Sequence, residues 1–513
     1  MSFKKRRSER DGAFSGNTAS RAIIDIGSNT VRMVVYGGTM RAPTVLLNEK
    51  VTAKLGRDIG KDGTLADEAV ELALRGLKRF ILLLEDLGVT DIETVATAAV
   101  RDASNGGEFV DTLKELGLDP RILSGEEEAT LSAHGVAGAF PGAKGLVADL
   151  GGGSLELVNL AKGEVDDPVT LPLGALRLPD YRTKAEGSDK AMRSALQKDI
   201  SKGAGKRAKH ETLYLVGGTW RTMAVYAMQC EGHPLSDPHG FELSIDEAHA
   251  ITKALAAETA ESLKMRERIS SMRAEKLPDA AILLQALIAA VKPSRLVFSS
   301  WGLREGLLFD RLGTSAQAQD PLLAGISTFA SLRGAPPTLS ARMASWTLDA
   351  APARGHGSER LRLAATMLAL ASMQIEPNIR LPQAIDWALQ KRWIAIDGKG
   401  RAMLAAAIAA NGNALDLDER VRALASEEAL DEAIKWGLAL RLARRLGANS
   451  RRSLDMSRLF VEGDDLVLRL ATSHADLATG PVDKDMKLLS GRLGLTARVE
   501  IVEDGELRGR ELD

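Results

Sequence analysis

The chain of 513 residues has a single cysteine, Cys230. No internal disulfide can form, and a lone thiol two residues from Met228 fits a reducing compartment and a buried structural role better than a nucleophile. Aromatic side chains make up 4% of the chain, too few for the stacking stripe of a single-stranded nucleic-acid channel. Neither sign of charge dominates: 67 Lys and Arg stand against 69 Asp and Glu, a balance that does not advertise sequence-specific nucleic acid as a partner. Long apolar runs are missing too. The run Ala280 to Val291 stops at Asp279 and Lys292, short of the roughly 20 residues a bilayer span needs, so no membrane partner is expected. No apolar stretch follows the basic residues Lys4, Lys5, Arg6, Arg7 and Arg10. Residues 1–20 therefore read as a basic, disordered tail rather than a secretory signal, and the expected location is cytoplasmic. Histidines show no metal-ligand spacing, and Walker A, zinc and serine-elbow patterns are absent.

What is present is ordinary globular composition, 45% hydrophobic and 27% charged, in a chain long enough for two or three domains. Short β-type runs (Ala22 to Ile26, Val31 to Tyr36, Thr94 to Thr97) alternate with a helical pattern from Asp67 to Leu87, giving α/β texture over residues 21–140. The texture repeats over 141–313, with strands expected at Leu146 to Asp149, Leu155 to Leu160, Leu213 to Val216 and Arg295 to Ser299, and a helix over Ser244 to Glu261. Residues 314–513 shift to Ala, Leu and Arg at helical spacing and predict a mainly α-helical domain, with late strands at Asp465 to Leu470 and Ala497 to Val502.

The most informative feature is a match between two distant segments, Asp25-Ile-Gly-Ser-Asn-Thr-Val-Arg-Met-Val34 and Asp149-Leu-Gly-Gly-Gly-Ser-Leu-Glu-Leu-Val158. Each places an Asp at a strand end, a small polar turn, then a second strand, so both read as hairpins. Turns of such small residues can present N–H groups to phosphate oxygens, at Gly27, Ser28 and Asn29 in one copy and Gly151, Gly152 and Gly153 in the other, the glycines without a clashing Cβ. Thr30 and Ser154 add hydroxyl donors. Asp149 and Glu156, then Asp25, are placed to hold a divalent cation directly or through water, and Glu156 could instead position a water. Arg32, at the place of Glu156, offers a cation to phosphate.

These residues resemble the two phosphate loops of the actin, hexokinase and heat-shock ATPase superfamily, and most closely the exopolyphosphatase and guanosine pentaphosphate phosphatase family. The other motifs carrying the likeness are Ala96-Thr-Ala-Ala-Val-Arg101-Asp-Ala-Ser-Asn105-Gly and Leu123-Ser-Gly-Glu126-Glu-Glu128-Ala. Leu215-Val-Gly217-Gly-Thr219 and Trp301-Gly-Leu-Arg304-Glu-Gly306 resemble strand-turn elements of the second domain. The resemblance covers about residues 21–312. It implies two actin-like (ribonuclease H-like) α/β domains flanking a cleft, and hydrolysis of a terminal phosphoanhydride of polyphosphate or guanosine pentaphosphate. It also implies magnesium, with a monovalent cation such as K+ as a further candidate, and a homodimer. The family's helical C-terminal domain often resembles His-Asp phosphohydrolases. Here only His356 and His474 lie beyond residue 313 and no His-Asp pair appears, so any such domain is degenerate and a second metal site is not expected.

On that alignment Arg101 would grip the terminal phosphoryl group with paired hydrogen bonds, and Glu128 would activate water, with Glu127 as the alternative base. Ser124 followed by Glu127 also reads as a capping box. Gly217, Gly218 and Thr219 present N–H groups to an anion or a nucleoside, or form a packing turn. Basic runs at Arg182 to Lys209 and at Arg441 to Arg452 are either solvated faces or guides for a polyanion. A kinase or ATPase of the same superfamily, and a non-catalytic sensor of polyphosphate or guanosine pentaphosphate, are the competing readings.

Overall fold

The computed structural model describes residues 19–57, 59–204, 211–355 and 357–508. The chain divides into two compact units, Met1–Pro321 and Leu322–Asp513.

The first unit is built on two sheets. One has strands β1 (Ala19–Ile26), β2 (Val31–Gly37), β3 (Thr44–Val51), β4 (Ile92–Ala96) and β5 (Pro120–Ile122), in the order β3-β2-β1-β4-β5. The other has β6 (Lys144–Leu150), β7 (Leu155–Ala161), β8 (Glu164–Leu171), β9 (Thr212–Val216), β10 (Glu242–Ser244) and β11 (Arg295–Ser299), in the order β10-β11-β9-β6-β7-β8. With edge strand β10 set aside, the two orders coincide: two antiparallel hairpin pairings, then two parallel ones. The duplication in sequence is thus a duplication of fold.

Each sheet has one face of its own and one shared. The outer face of the first packs on Ala73, Leu77, Phe80 and Leu84 of the helix Asp67–Asp86, that of the second on helices including Leu277–Val291. Between the sheets lie two helices, Gly125–Ala139 and Leu303–Asp310. Ala129, Ala133 and Val136 meet the second sheet, while Leu131, Leu307 and Leu308 meet Ile23, Val34 and Val95 of the first. The helices pass too close for side chains at their crossing: a Cβ on Gly306 would fall 1.7 Å from the Leu131 carbonyl oxygen. His134 Nδ1 and Asp310 Oδ1, 3.0 Å apart, join the same pair.

Strands absent from the sequence reading are mostly edges. β3 and β8 are partly exposed along their length, and β8 carries Asp166, Asp167 and Pro168. An edge strand tolerates Pro and charge because one side of its ladder is open, and so loses the alternation that marks a strand. The helix expected over Ser244 to Glu261 ends at Ala256; Thr259 accepts a hydrogen bond from the Ser262 N–H at 3.1 Å and starts a separate turn, Ala260–Lys264. Cys230, expected buried, is exposed near the C-terminus of the helix Gly218–Glu231, which packs through Trp220, Met223, Ala224 and Ala227 instead.

The second unit is mainly helical. Gly398–Asn411, rich in alanine, is buried on nearly every side, and Glu427–Gly447 approaches it so closely that a Cβ on Gly437 would lie 2.1 Å from the Ala407 carbonyl oxygen. The late sheet has three strands, β12 (Ser457–Glu462), β13 (Asp465–Ala471) and β14 (Thr496–Val502), in that order. No helix among the described residues is long and apolar enough to cross a membrane.

Candidate active site

The hairpin registers place the repeated residues opposite one another: Asp25 pairs with Arg32 across β1 and β2, and Asp149 with Glu156 across β6 and β7. Directly opposed residues of an antiparallel pair share a face. Each turn closes with the same hydrogen bond, Gly27 N–H to the Thr30 carbonyl and Gly151 N–H to the Ser154 carbonyl, both 3.0 Å. Carbonyls of the turns are taken up by the segment after the third strand. Ser28 and Asn29 accept from Gly56 and Lys54 at 2.8 and 3.1 Å; Gly151 and Gly152 accept from Ala175 and Leu176 at 3.0 and 2.9 Å. With these carbonyls occupied, and the Gly27 and Gly151 N–H groups spent on closing the turns, the N–H groups of Ser28, Asn29, Gly152 and Gly153 are what the turns offer the space between them. The turns face each other at contact distance, since a Cβ on Gly153 would lie 3.1 Å from Ser28 Oγ.

They border a cavity of about 390 Å³. Asp25, Gly27, Ser28, Asn29, Thr30 and Arg32 line it from the first hairpin, Asp149 and Gly151, Gly152, Gly153 and Ser154 from the second. Glu128, Gly217, Gly218 and Thr219 also reach it, but Arg101, Glu127 and Glu156 are not on its wall.

Acids converge at one end. Glu128 is 9% exposed, and burial together with the nearby Asp149 carboxylate pushes its carboxyl up to about 8, against the pull of Arg101. Asp149 is raised by burial, relieved by the Ser132 hydroxyl that donates to its Oδ2 and by Arg221, and raised again by Asp25. Asp25 is raised by burial and drawn down by Arg304, whose Nη1 is 3.6 Å from its Oδ2, and by Arg32. Glu156, 1% exposed, is pushed well up by burial and then by Glu128 and Asp149. The neighbouring Ser154 pulls it down, yet neither carboxylate oxygen has a partner in hydrogen-bonding geometry. Buried carboxylates held this close call for a cation.

Among the described residues no three His, Cys, Asp or Glu side chains form a direct metal cage. A divalent cation that keeps several waters needs only one or two carboxylates. Asp149 and Glu156 fit that role, while Asp25 already has a cation in Arg304.

Arg101 and Glu127 stand elsewhere than the cleft wall. Arg101, near the end of the helix Ala98–Asp102, donates from Nη1 to the Leu123 carbonyl at 3.0 Å and from Nε to Asp102 at 3.1 Å; its Nη1 lies 3.6 Å from Glu128 Oε2. It therefore sits behind Glu128. Glu127 is exposed and closes the capping box, accepting from the Ser124 N–H at 2.8 Å while Ser124 Oγ accepts from the Glu127 N–H at 3.1 Å. One residue, about 100° of helix rotation, separates the two uses: the third residue reaches back to the cap, and the fourth points inward.

Sequence reasoning missed Arg304 and Glu305, although the motif containing them was in view, and missed Lys50, Arg221, Arg268, Arg273 and Lys276 entirely. The density of Lys and Arg between Lys264 and Lys276 was the available signal. The basic helix Asp189–Ala204 instead buries Met192, Leu196 and Ile200 and turns its lysines to solvent, and Arg182 is bound to Asp279 at 2.7 Å. Lys206, Arg207, Lys209 and His356 lie outside the described residues. In the second unit Arg441 and Arg445 are both bound to Asp485, at 2.9 and 2.8 Å.

Comparison with known proteins gives the family. The sequence profile of the Ppx/GppA phosphatase family matches residues 34–315, and one described as Exopolyphosphatase, C-terminal, matches residues 322–499. Retrograde regulation protein 2 of Saccharomyces cerevisiae is 29% identical over 343 residues, 60% of this chain and 58% of that protein, so the chain spans less than two thirds of this relative. The crystal structure of the Aquifex aeolicus Ppx/GppA family member superposes with a TM-score of 0.50 at 25% identity, over 58% of this chain and 99% of that one. An exopolyphosphatase from Cytophaga hutchinsonii gives 0.50 at 26% identity, over 57% and 98%. Two actin-like lobes with matching phosphate turns, followed by a separate C-terminal unit, place this chain in the Ppx/GppA phosphatase family.

Proposed function

We propose that the cavity hydrolyses the terminal phosphoanhydride of linear polyphosphate, releasing orthophosphate. The observation that carries this reading is the meeting of the two Asp-bearing turns in one cavity beside Glu128, whose carboxyl is raised to about 8. In this reading the N–H groups of the two turns hold the terminal phosphoryl oxygens, and Arg32 and Arg304 neutralise charge beside them. Water attacks the terminal phosphorus, the bond to the bridging oxygen breaks, and the shortened chain leaves with that oxygen. Glu128 takes the proton from the attacking water, and a group poised near neutrality suits that task. Arg101, tied to the Leu123 carbonyl, is a positioning residue that holds Glu128 and favours its ionised form. Asp149 and Glu156 would hold magnesium, which when bound would supply neutralisation of the phosphate oxygens. A homodimer and a cytoplasmic location complete the proposal.

Guanosine pentaphosphate is the second substrate this site would admit. The test is orthophosphate release by the full chain from long-chain polyphosphate and from guanosine pentaphosphate, with magnesium and after chelation. Release from polyphosphate that chelation abolishes is the expected result. Release from neither substrate overturns the enzymatic reading, and tight binding without release would leave the regulatory role that the yeast relative's name suggests.

A further inference from the structure

The late sheet of the second unit is open along β14, which has β13 on one side and, among the described residues, no strand on the other. β14 runs parallel to β13 from Thr496, opposite Asp465, to Val502, opposite Ala471, with no break in register. The Thr496 N–H donates to the Asp464 carbonyl at 2.9 Å, and this fixes the alternation. Thr496, Arg498, Glu500 and Val502 turn their backbone groups toward β13; Ala497, Val499 and Ile501 turn theirs away. Nothing among the described residues pairs with those outward N–H groups and carbonyls. The side chains of the same three residues continue the apolar face of Leu466, Leu468 and Leu470, which are fully buried, yet Val499 is 38% and Ile501 48% exposed.

An open row of N–H and carbonyl groups is a template for another chain, so proteins ordinarily blunt their sheet edges. The first unit does so. β5 and β10 have three residues each, β3 shifts register against β2 beside Val35 and Tyr36, and β8 carries Pro168 with Asp166 and Asp167. β14 has none of these devices. Its seven residues, Thr496-Ala-Arg-Val-Glu-Ile-Val502, include no proline, glycine or lysine. Both charges are engaged within the sheet, Glu500 by Arg469 Nε at 2.8 Å, and Arg498 by Asp465 at 3.0 Å and by Glu462. The segment is also its own complement. When two copies run antiparallel about Val499, Arg498 falls opposite Glu500, Ala497 opposite Ile501 and Val499 opposite itself, so the central pairs are either oppositely charged or apolar. Such a two-fold contact is self-complementary and closes at two copies, and the charge pattern selects a second copy of this chain over an unrelated strand.

We infer that β14 pairs antiparallel with β14 of a second copy about Val499, joining the two late sheets into one continuous sheet. Ala497, Val499 and Ile501 exchange backbone hydrogen bonds across the axis, and the exposed faces of Val499 and Ile501 are covered. This gives the homodimer of the proposed function its interface; it rests on that reading only for the existence of a dimer, and it is tested without turnover. Sedimentation velocity of the full chain from about 0.1 to 100 µM should show a monomer–dimer equilibrium with a dissociation constant on the order of micromolars, since one strand pair buries less than the ~1,600 Å² of a standard interface. Val499→Lys sets like charges against each other on the axis and should raise that constant at least about tenfold. Val499→Pro should do the same by removing an outward N–H while leaving the bonds to β13 in place, with circular dichroism reporting the fold. A covalent readout stands if these variants do not fold. Opposed Cα atoms of a hydrogen-bonded pair are about 5.5 Å apart, within disulfide reach. In a Cys230→Ser background with oxidised glutathione, Val499→Cys should form a disulfide-linked dimer. Ala497→Cys should not, because its two copies would lie roughly 13 Å apart. A wild-type chain monomeric throughout that range, association unchanged in both Val499→Lys and Val499→Pro, or equal cross-linking at positions 499 and 497 would each overturn the pairing. Cross-linking confined to position 499 without phosphate release from any substrate would support the interface while refuting hydrolysis.

Discussion

The two phosphate turns share topology, register and closing hydrogen bond, yet opposite charges stand at the same place in them. Arg32, opposite Asp25, reaches the cavity; Glu156, opposite Asp149, is buried next to Glu128 and Asp149 with neither carboxylate oxygen in hydrogen-bonding geometry to a described residue. The neighbours follow suit. Asp25 has the Arg304 guanidinium 3.6 Å away, whereas Asp149 takes a hydrogen bond from the neutral Ser132 hydroxyl and feels Arg221 less, with Asp25 opposing. A duplicated backbone thus carries two differently charged halves, and the proposed hydrolysis would use the first for anion contact and the second for its acids.

That asymmetry can be broken in order of effect. Glu128→Ala should reduce orthophosphate release by about 10²- to 10⁴-fold while the thermal transition persists; turnover near wild type would move the base elsewhere. Converting the first turn toward the second, Arg32→Glu, replaces a cation by a carboxylate beside substrate. It should raise KM for polyphosphate by at least about tenfold through loss of a charge-assisted contact, with added repulsion on top, and an unchanged KM would show that the halves are not electrically distinct.

The raised carboxyl of Glu128 gives a pH dependence of definite sign. Its folded-state value of about 8 lies above the ordinary 4.5, so the folded state binds the extra proton between these values. In the metal-free protein its contribution to stability is fully present below about pH 4.5 and is lost as pH rises through about 8. Glu128→Gln should therefore be more stable than wild type at pH 9, on the order of a few kcal/mol, with the gap closing toward pH 5 in denaturant titrations. In kcat/KM the base must be ionised, so activity should climb with pH as Glu128 loses its proton, below its metal-free value where magnesium is bound beside it. The smallest effect belongs to the adjacent acid: Glu127→Ala removes half of a capping box and should cost about 0.5–1 kcal/mol of stability with little change in turnover.

Much of this was visible in the chain itself where the signal is local. Asp–turn–strand repeats declared both hairpins, and the Ser124–Glu127 spacing declared the helix start. Strands β3, β5, β8, β10 and β12 went unread, being short or at edges where polar residues and Pro168 are tolerated. Exposed Cys230 contradicts the usual tendency of free cysteine to be buried, and composition holds no record of which helix face points to solvent.

By itself, then, the sequence determined the two turns, their acids and hydroxyls, and the helical character of the second unit, because each depends on residues a few positions apart. Only tertiary structure decided that Glu128 rather than Glu127 faces the cavity and that Arg101 stands behind it. Those outcomes arise where two sheets close on a shared pair of helices, bringing together residues from distant parts of the chain whose charges are set by burial and by one another.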